Sequence, residues 1–251
     1  MSRFSFLKSM TVVALFSAGT ASPVFAGSID LEVLIRDFTI SHPDMGTYLG
    51  AETGMVETTL GPDGNPVYVP GAGKITSAAS FAQWYTDVPG VNLSTTKTLT
   101  LTDGDDDGVY TYDNSSFFPI NGELFNDAGY AGNNYYFTLE MRTEFTYEAG
   151  QEFSFRGDDD IWVFINNSLV IDLGGVHGPL DASVDLDTLG LTVGETYDLD
   201  LFFAERRETG SSFKIETSIA SLQSTSVPEP GMLTLLGLGL LGLGSRRLRK
   251  R

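Results

Sequence analysis

The chain has 251 residues, 41 % of them hydrophobic, with 28 glycines; that is enough for one sizeable core, and the turn-rich composition favours an all-β build. Its formal net charge of -18 repels nucleic-acid phosphates and anionic lipid surfaces and argues against both as partners. With no cysteine, disulfides cannot staple the fold, which must rest on its core, on metal, or on both.

Taken in chain order, Arg3 and Lys8 flank the start of an apolar run, MTVVALFSAG, and Val24-Phe25-Ala26 follows as a small-residue cleavage site. That order predicts a secretory signal peptide over residues 1-26, with the exported chain beginning near Gly27. From there Ile29, Leu31, Val33 and Ile35 alternate with Asp30, Glu32, Leu34 and Arg36, the period of a half-buried strand. Further strands are predicted over residues 97-101, 135-147, 152-155, 161-171, 197-204 and 212-219, separated by Gly, Asn and Asp clusters. A short helix is predicted over 75-87, where Ile75, Ala78, Ala82 and Tyr85 recur at helical spacing and Ser80 with Gln83 resembles a capping box. Trp84 and Trp162 read as core, and residues 54-73, rich in Gly and Pro without a period, as loop. Many strands with one helix point to a β-sandwich whose end loops carry the function.

Two stretches concentrate acid. Asp158, Asp159 and Asp160 stand together at the start of the apolar segment IWVFI, followed by Asn166, Asn167 and the loop 172-178. Three like charges in apolar surroundings raise one another's pKa unless a cation compensates, and calcium accepts carboxylates, amide oxygens and carbonyls together. A solvated acidic turn is the alternative. The second stretch is LTDGDDDGVYTYDN, where Asp103, Asp105, Asp107 and Gly108 follow the start of a calcium loop. Its twelfth position is Asn114 instead of Glu, so an EF-hand is not expected; a looser calcium loop and an exposed turn both remain.

The C-terminus reads VPEPGMLTLLGLGLLGLGSRRLRKR. Its apolar part is short for a span of about 20 residues, and its basic flank belongs on the cytoplasmic side, so a short membrane anchor is one reading. The order Pro228-Glu229-Pro230, Leu/Gly run, basic cluster closely resembles the PEP-CTERM sorting signal of Gram-negative bacteria. That resemblance implies recognition by an exosortase, transient anchoring of the tail helix in the inner membrane, and a setting of exopolysaccharide production. Without both terminal segments the exported core keeps 8 basic and 32 acidic residues, a net charge of -24; solubility and attraction of divalent cations each account for it.

Phe117-Phe118-Pro119, FTYEAGQEFSFRGDDDIWVFINNSLVIDLGGVHG and LGLTVGETYDLDLFFAERRETGSSFKIET strongly resemble the fibro-slime domain, a relative of the PA14 β-sandwich. The likeness runs over roughly residues 30-220, is densest over 145-217, and includes SFAQWYTDVPGVN. It implies an all-β PA14-like sandwich over 27-220, with 221-251 forming the sorting segment. Sugar-binding PA14 relatives carry two adjacent aspartates, joined in some by a cis peptide, which hold a calcium ion that grips sugar hydroxyls. Here the pair is Asp158 and Asp159, with Asp160, Asn166, Asn167 and His177 as further candidates and Asp103, Asp105 and Asp107 as a weaker second site. Glu205-Arg206-Arg207 is expected to pair with the acidic loops.

The expected function is a calcium-dependent, surface- or matrix-associated module that binds exopolysaccharide or another glycan. A structural matrix protein without glycan binding is the alternative, and a glycosidase a more distant one. No catalytic residue is assigned: the chain has no Cys, only His42 and His177, and no G-x-S-x-G, so an enzyme is not expected.

Overall fold

The computed structural model describes residues 27-46, 50-126 and 129-225. The predicted signal peptide, the tail helix and the motif Pro228-Glu229-Pro230 lie outside the described residues. Among the described residues eleven strands form: β1 Ser28–Asp37, β2 Leu93–Thr102, β3 Tyr110–Asn114, β4 Phe137–Thr146, β5 Glu152–Asp158, β6 Asp160–Ile165, β7 Ser168–Leu173, β8 Leu180–Asp185, β9 Thr196–Glu205, β10 Ser212–Thr217 and β11 Gln223–Ser224. Their neighbour order is β7-β6-β9-β4-β1-β2-β3-β10-β5-β8, with β11 paired to β4. The step from β2 to β3 rests on the single pair Thr102 and Thr111, so the sheet hinges there into two leaves.

The leaves face each other over one apolar core. Ile29, Leu31, Val33 and Ile35 point into it from β1, as their alternation predicts. Across the interface Phe203 of β9 meets Phe213 of β10 edge-on at 5.4 Å, and Phe117 stacks on Phe213 at 4.7 Å. The larger leaf also buries its outer face. Trp162, Phe164, Phe202 and Ala204 pack under Met55, Tyr68, Phe81, Trp84 and Tyr85 of the segment between β1 and β2. Double-sided burial explains why β6 is apolar without alternation; both tryptophans are fully buried.

Several expectations need correction. The helix α1 covers only Ala78–Ala82, and its capping box is Ser77 with Ser80 rather than Ser80 with Gln83. Beyond it the Asn92 amide takes the carbonyls of Gln83 and Thr86, which ends the helix that the spacing carried to residue 87. The predicted strand 161-171 is two strands, β6 and β7, joined by a two-residue turn at Asn166 and Asn167, whose φ values are 49° and 62°. Asparagine tolerates this left-handed backbone, which hairpin turns require. β3 and β8 went unpredicted because neither alternates cleanly; β8 buries one residue, Val184. Finally, β11 pairs with β4 beyond residue 220.

Candidate metal and ligand site

The three aspartates mark the place where the chain changes leaf. Asp158 ends β5, opposite Ser212 in the smaller leaf, and Asp160 opens β6, opposite Ala204 in the larger. Asp159 lies between them, and the Asp158-Asp159 peptide is cis, the form that the PA14 resemblance implies for some relatives.

Each carboxylate has a different task. Asp158 Oδ1 accepts from the Ser212 amide at 2.5 Å. Asp159 accepts from the amides of His177 at 3.3 Å and Arg206 at 3.1 Å. Asp160 forms a forked ion pair with Arg206, Oδ2 to Nε at 2.6 Å and Oδ1 to Nη2 at 3.0 Å, and also accepts from the Gly175 amide at 2.7 Å. Asp160 and Arg206 are both fully buried. Gly175 has a φ of +92°, and a Cβ there would lie 2.3 Å from the Gly50 carbonyl; only glycine brings that amide onto Asp160.

A fourth carboxylate joins them. Glu205, the last residue of β9, is fully buried. Its Oε1 accepts from the Arg207 amide at 3.1 Å, Oε2 receives no N–H, and the carboxyl lies within hydrogen-bonding reach of Asp159 and Ser211. Arg206 gives its fork to Asp160, and the ion pairs among the described residues include none to Asp158, Asp159 or Glu205. The titration behaviour follows. Burial, reinforced by the charge of Asp160, pushes the Asp159 carboxyl up to about 7. Burial and then Asp159 raise Glu205 well above its ordinary value, and burial raises Asp158. Burial and mutual repulsion thus set Asp159 and Glu205 up to share a proton or a hard cation, while among the described residues the three acidic side chains that each bring an oxygen within 4.8 Å of the others are Asp103, Asp105 and Asp107.

The other candidates fall elsewhere. Asn166 and Asn167 occupy the far end of β6, about 20 Å from Asp159 along six strand residues, and the Asn167 side chain accepts from the Leu60 amide. They are turn residues, not neighbours of the pair. Asp160 is close, but both its oxygens belong to Arg206 and Gly175. His177 contributes its amide to Asp159, while its ring nitrogens lie 2.8 Å and 3.1 Å from the carbonyls of Gly178 and Leu173.

Asp103, Asp105 and Asp107 do converge, with one oxygen from each within 4.8 Å of the others. Their loop is satisfied internally: Asp103 accepts from the amides of Asp107 and Gly108, and Asp107 from that of Val109. A shallow groove on the outer face of the smaller leaf is lined by Arg156, Asp181, Lys214 and Glu216. Its charges are already paired as Arg156–Asp181 and Lys214–Glu216. Glu205 escaped the sequence reading as a ligand because it sits in a charged triplet expected to form ion pairs; its position opposite Asp159 depends on β9 pairing with β6.

This is a two-leaf β-sandwich with a buried acidic corner where the chain passes between leaves. Comparison with known families shows a PA14 domain matching residues 107-230 and a PEP-CTERM protein-sorting motif matching residues 226-250. The chain therefore carries a match to the PA14 domain followed at its C-terminus by a match to the PEP-CTERM protein-sorting motif, which supports export to the cell surface. Protein psiR of Dictyostelium discoideum is 42 % identical over 209 residues, covering 76 % of this chain and 21 % of that protein. Protein psiQ of the same organism is 41 % identical over 198 residues, 73 % of this chain and 20 % of that protein. The chain thus spans about a fifth of the length of these relatives. Among solved structures, it aligns with the PA14 domain of the MpAFP antifreeze protein at a TM-score of 0.38 and 10 % identity, over 85 % of this chain and 100 % of that one. It also aligns with the PA14 sugar-binding domain from an RTX adhesin at 0.37 and 12 %, over 78 % and 99 %. Among the described residues no helix is long and apolar enough to cross a membrane.

Proposed function

We propose that this surface protein of a Gram-negative bacterium binds carbohydrate, with exopolysaccharide as the glycan class, through a calcium ion held at the Asp158-Asp159 corner. The observation that carries the proposal is the burial of Asp158, Asp159 and Glu205 beside one another, with Glu205 Oε2 receiving no N–H donor. Bound calcium supplies coordination positions that sugar hydroxyls can fill. The chain's own part is to hold the two aspartates through the amides of Ser212, His177 and Arg206 and to keep Asp160 out of the set by pairing it with Arg206. The matches to the PA14 domain and to the PEP-CTERM protein-sorting motif support the same reading.

The test is retention of the purified protein on immobilised matrix polysaccharide in millimolar calcium and in chelator. Retention in calcium, lost in chelator and in the Asp158→Ala, Asp159→Ala double variant, is the expected result. Failure to bind polysaccharide in either condition, with the fold intact, would leave the purely structural matrix role.

A further inference from the structure

We propose that Tyr130 is a sugar-stacking residue at the rim of the acidic corner, fixing which glycans the site accepts. The inference rests on the carbohydrate-binding reading above and assigns a residue to the ligand side of that site.

Among the described residues Tyr130 is the most exposed large apolar side chain, at 71 %. It opens a tight turn, Tyr130–Gly132, closed by the Gly129 amide on the Asn133 carbonyl at 2.9 Å. The turn is fixed through its backbone by Glu208. One Glu208 oxygen accepts from the Tyr130 amide at 3.1 Å, and the other takes the Tyr136 hydroxyl. A Cβ at residue 129 would lie 2.5 Å from Glu208 Oε1, so Gly129 lets the glutamate come this close. The backbone of Tyr130 is thus clamped while its ring stays in solvent.

The clamp belongs to the loop that builds the acidic corner. Glu208 lies between Arg206, whose amide is on Asp159, and Ser212, whose amide is on Asp158. Two residues of chain, at most about 7 Å, and one glutamate side chain separate the amide on Asp159 from the amide on Tyr130. A short oligosaccharide bridges that span. Its chemistry divides in the same way: hydroxyls at a ring edge suit a cation, and the C–H face of a pyranose suits an aromatic ring. A pinned tyrosine offers that surface at little entropic cost, since its backbone is already ordered.

The test measures calcium-dependent binding of the purified protein to immobilised mannan, dextran and galactan, alongside its melting temperature in calcium and in chelator. Tyr130→Ala should weaken polysaccharide binding about tenfold, and Tyr130→Phe, which keeps the ring, should bind within about twofold of wild type. Both variants should keep the wild-type melting shift in calcium. Tyr130→Ala binding as tightly as wild type would refute the role of Tyr130 and leave carbohydrate binding standing. Loss of the calcium shift together with binding would refute it too, by making Tyr130 part of the metal site. A wild type that binds none of the three in calcium defeats the carbohydrate reading itself, and the role of Tyr130 falls with it.

Discussion

Arg206→Ala is expected to destabilise the protein by about 3–5 kcal/mol, a large part of the roughly 5–15 kcal/mol that holds a domain folded. The substitution leaves Asp160 fully buried without the partner that takes both its oxygens. It also removes the guanidinium stacked 5.0 Å from the centre of the Trp84 ring, and its contact with the Asp44 carbonyl at 3.4 Å. Trp84 in turn donates to Asp44 Oδ2 at 3.2 Å, so one side chain joins the acidic corner to the segment covering the larger leaf. Arg206→Lys should recover only part of the loss, because an ammonium cannot fork onto a carboxylate. Replacing both partners, Asp160→Leu with Arg206→Met, should be milder than Arg206→Ala alone, since no charge is then stranded. Urea unfolding of the three variants checks this; a loss below about 1 kcal/mol for Arg206→Ala would mean the pair is not the anchor its burial implies.

The second large effect is on pH dependence. Burial and the charge of Asp160 push the Asp159 carboxyl up to about 7 in the folded protein, from an ordinary value of 3.8. Between these values the folded state holds a proton that the unfolded chain has released. The stabilisation is therefore full below pH 3.8 and is lost as the pH rises through about 7. Glu205 is shifted in the same direction. Asp200, raised to about 6 chiefly by burial although Arg142 opposes the shift, adds to the same slope. In chelator, raising the pH from 4.5 to 7.5 should cost the wild type roughly 2–4 kcal/mol more than Asp159→Asn. Calcium should remove most of that difference by taking the proton's place, releasing protons as it binds. Denaturant titrations at several pH values measure the slope; equal slopes for wild type and Asp159→Asn would refute the assignment.

Much of the fold was legible because alternation is a local signal. Ile29 to Ile35 state their inward face outright, and the apolar run of β6 carries its double burial in its composition. The failures turn on contacts that hydrophobic spacing does not carry. α1 stops at Ala82, and the Asn92 side chain donates to the Gln83 and Thr86 carbonyls just beyond it, while the strand expected over 161-171 breaks at an Asn-Asn turn that hydrophobicity does not reveal. The corner follows the same pattern. Three adjacent aspartates are conspicuous in sequence, but their separate tasks depend on Gly175, His177, Arg206 and Ser212, contributed by distant loops. Nearness along the chain misleads for Asn166 and Asn167, because a strand carries them about 20 Å away. Glu205 is invisible as a neighbour of Asp159 until β9 is paired with β6.

The measurement closest to the central claim is a thermal melt in millimolar calcium and in chelator, on the wild type and on the Asp158→Ala, Asp159→Ala double variant. A cation held at the corner should raise the wild-type midpoint by about 5–10 °C when calcium exceeds its dissociation constant a hundredfold, with no rise in the double variant. Superimposable wild-type melts, with and without calcium, would contradict the account and leave the acidic corner a structural junction between the two leaves.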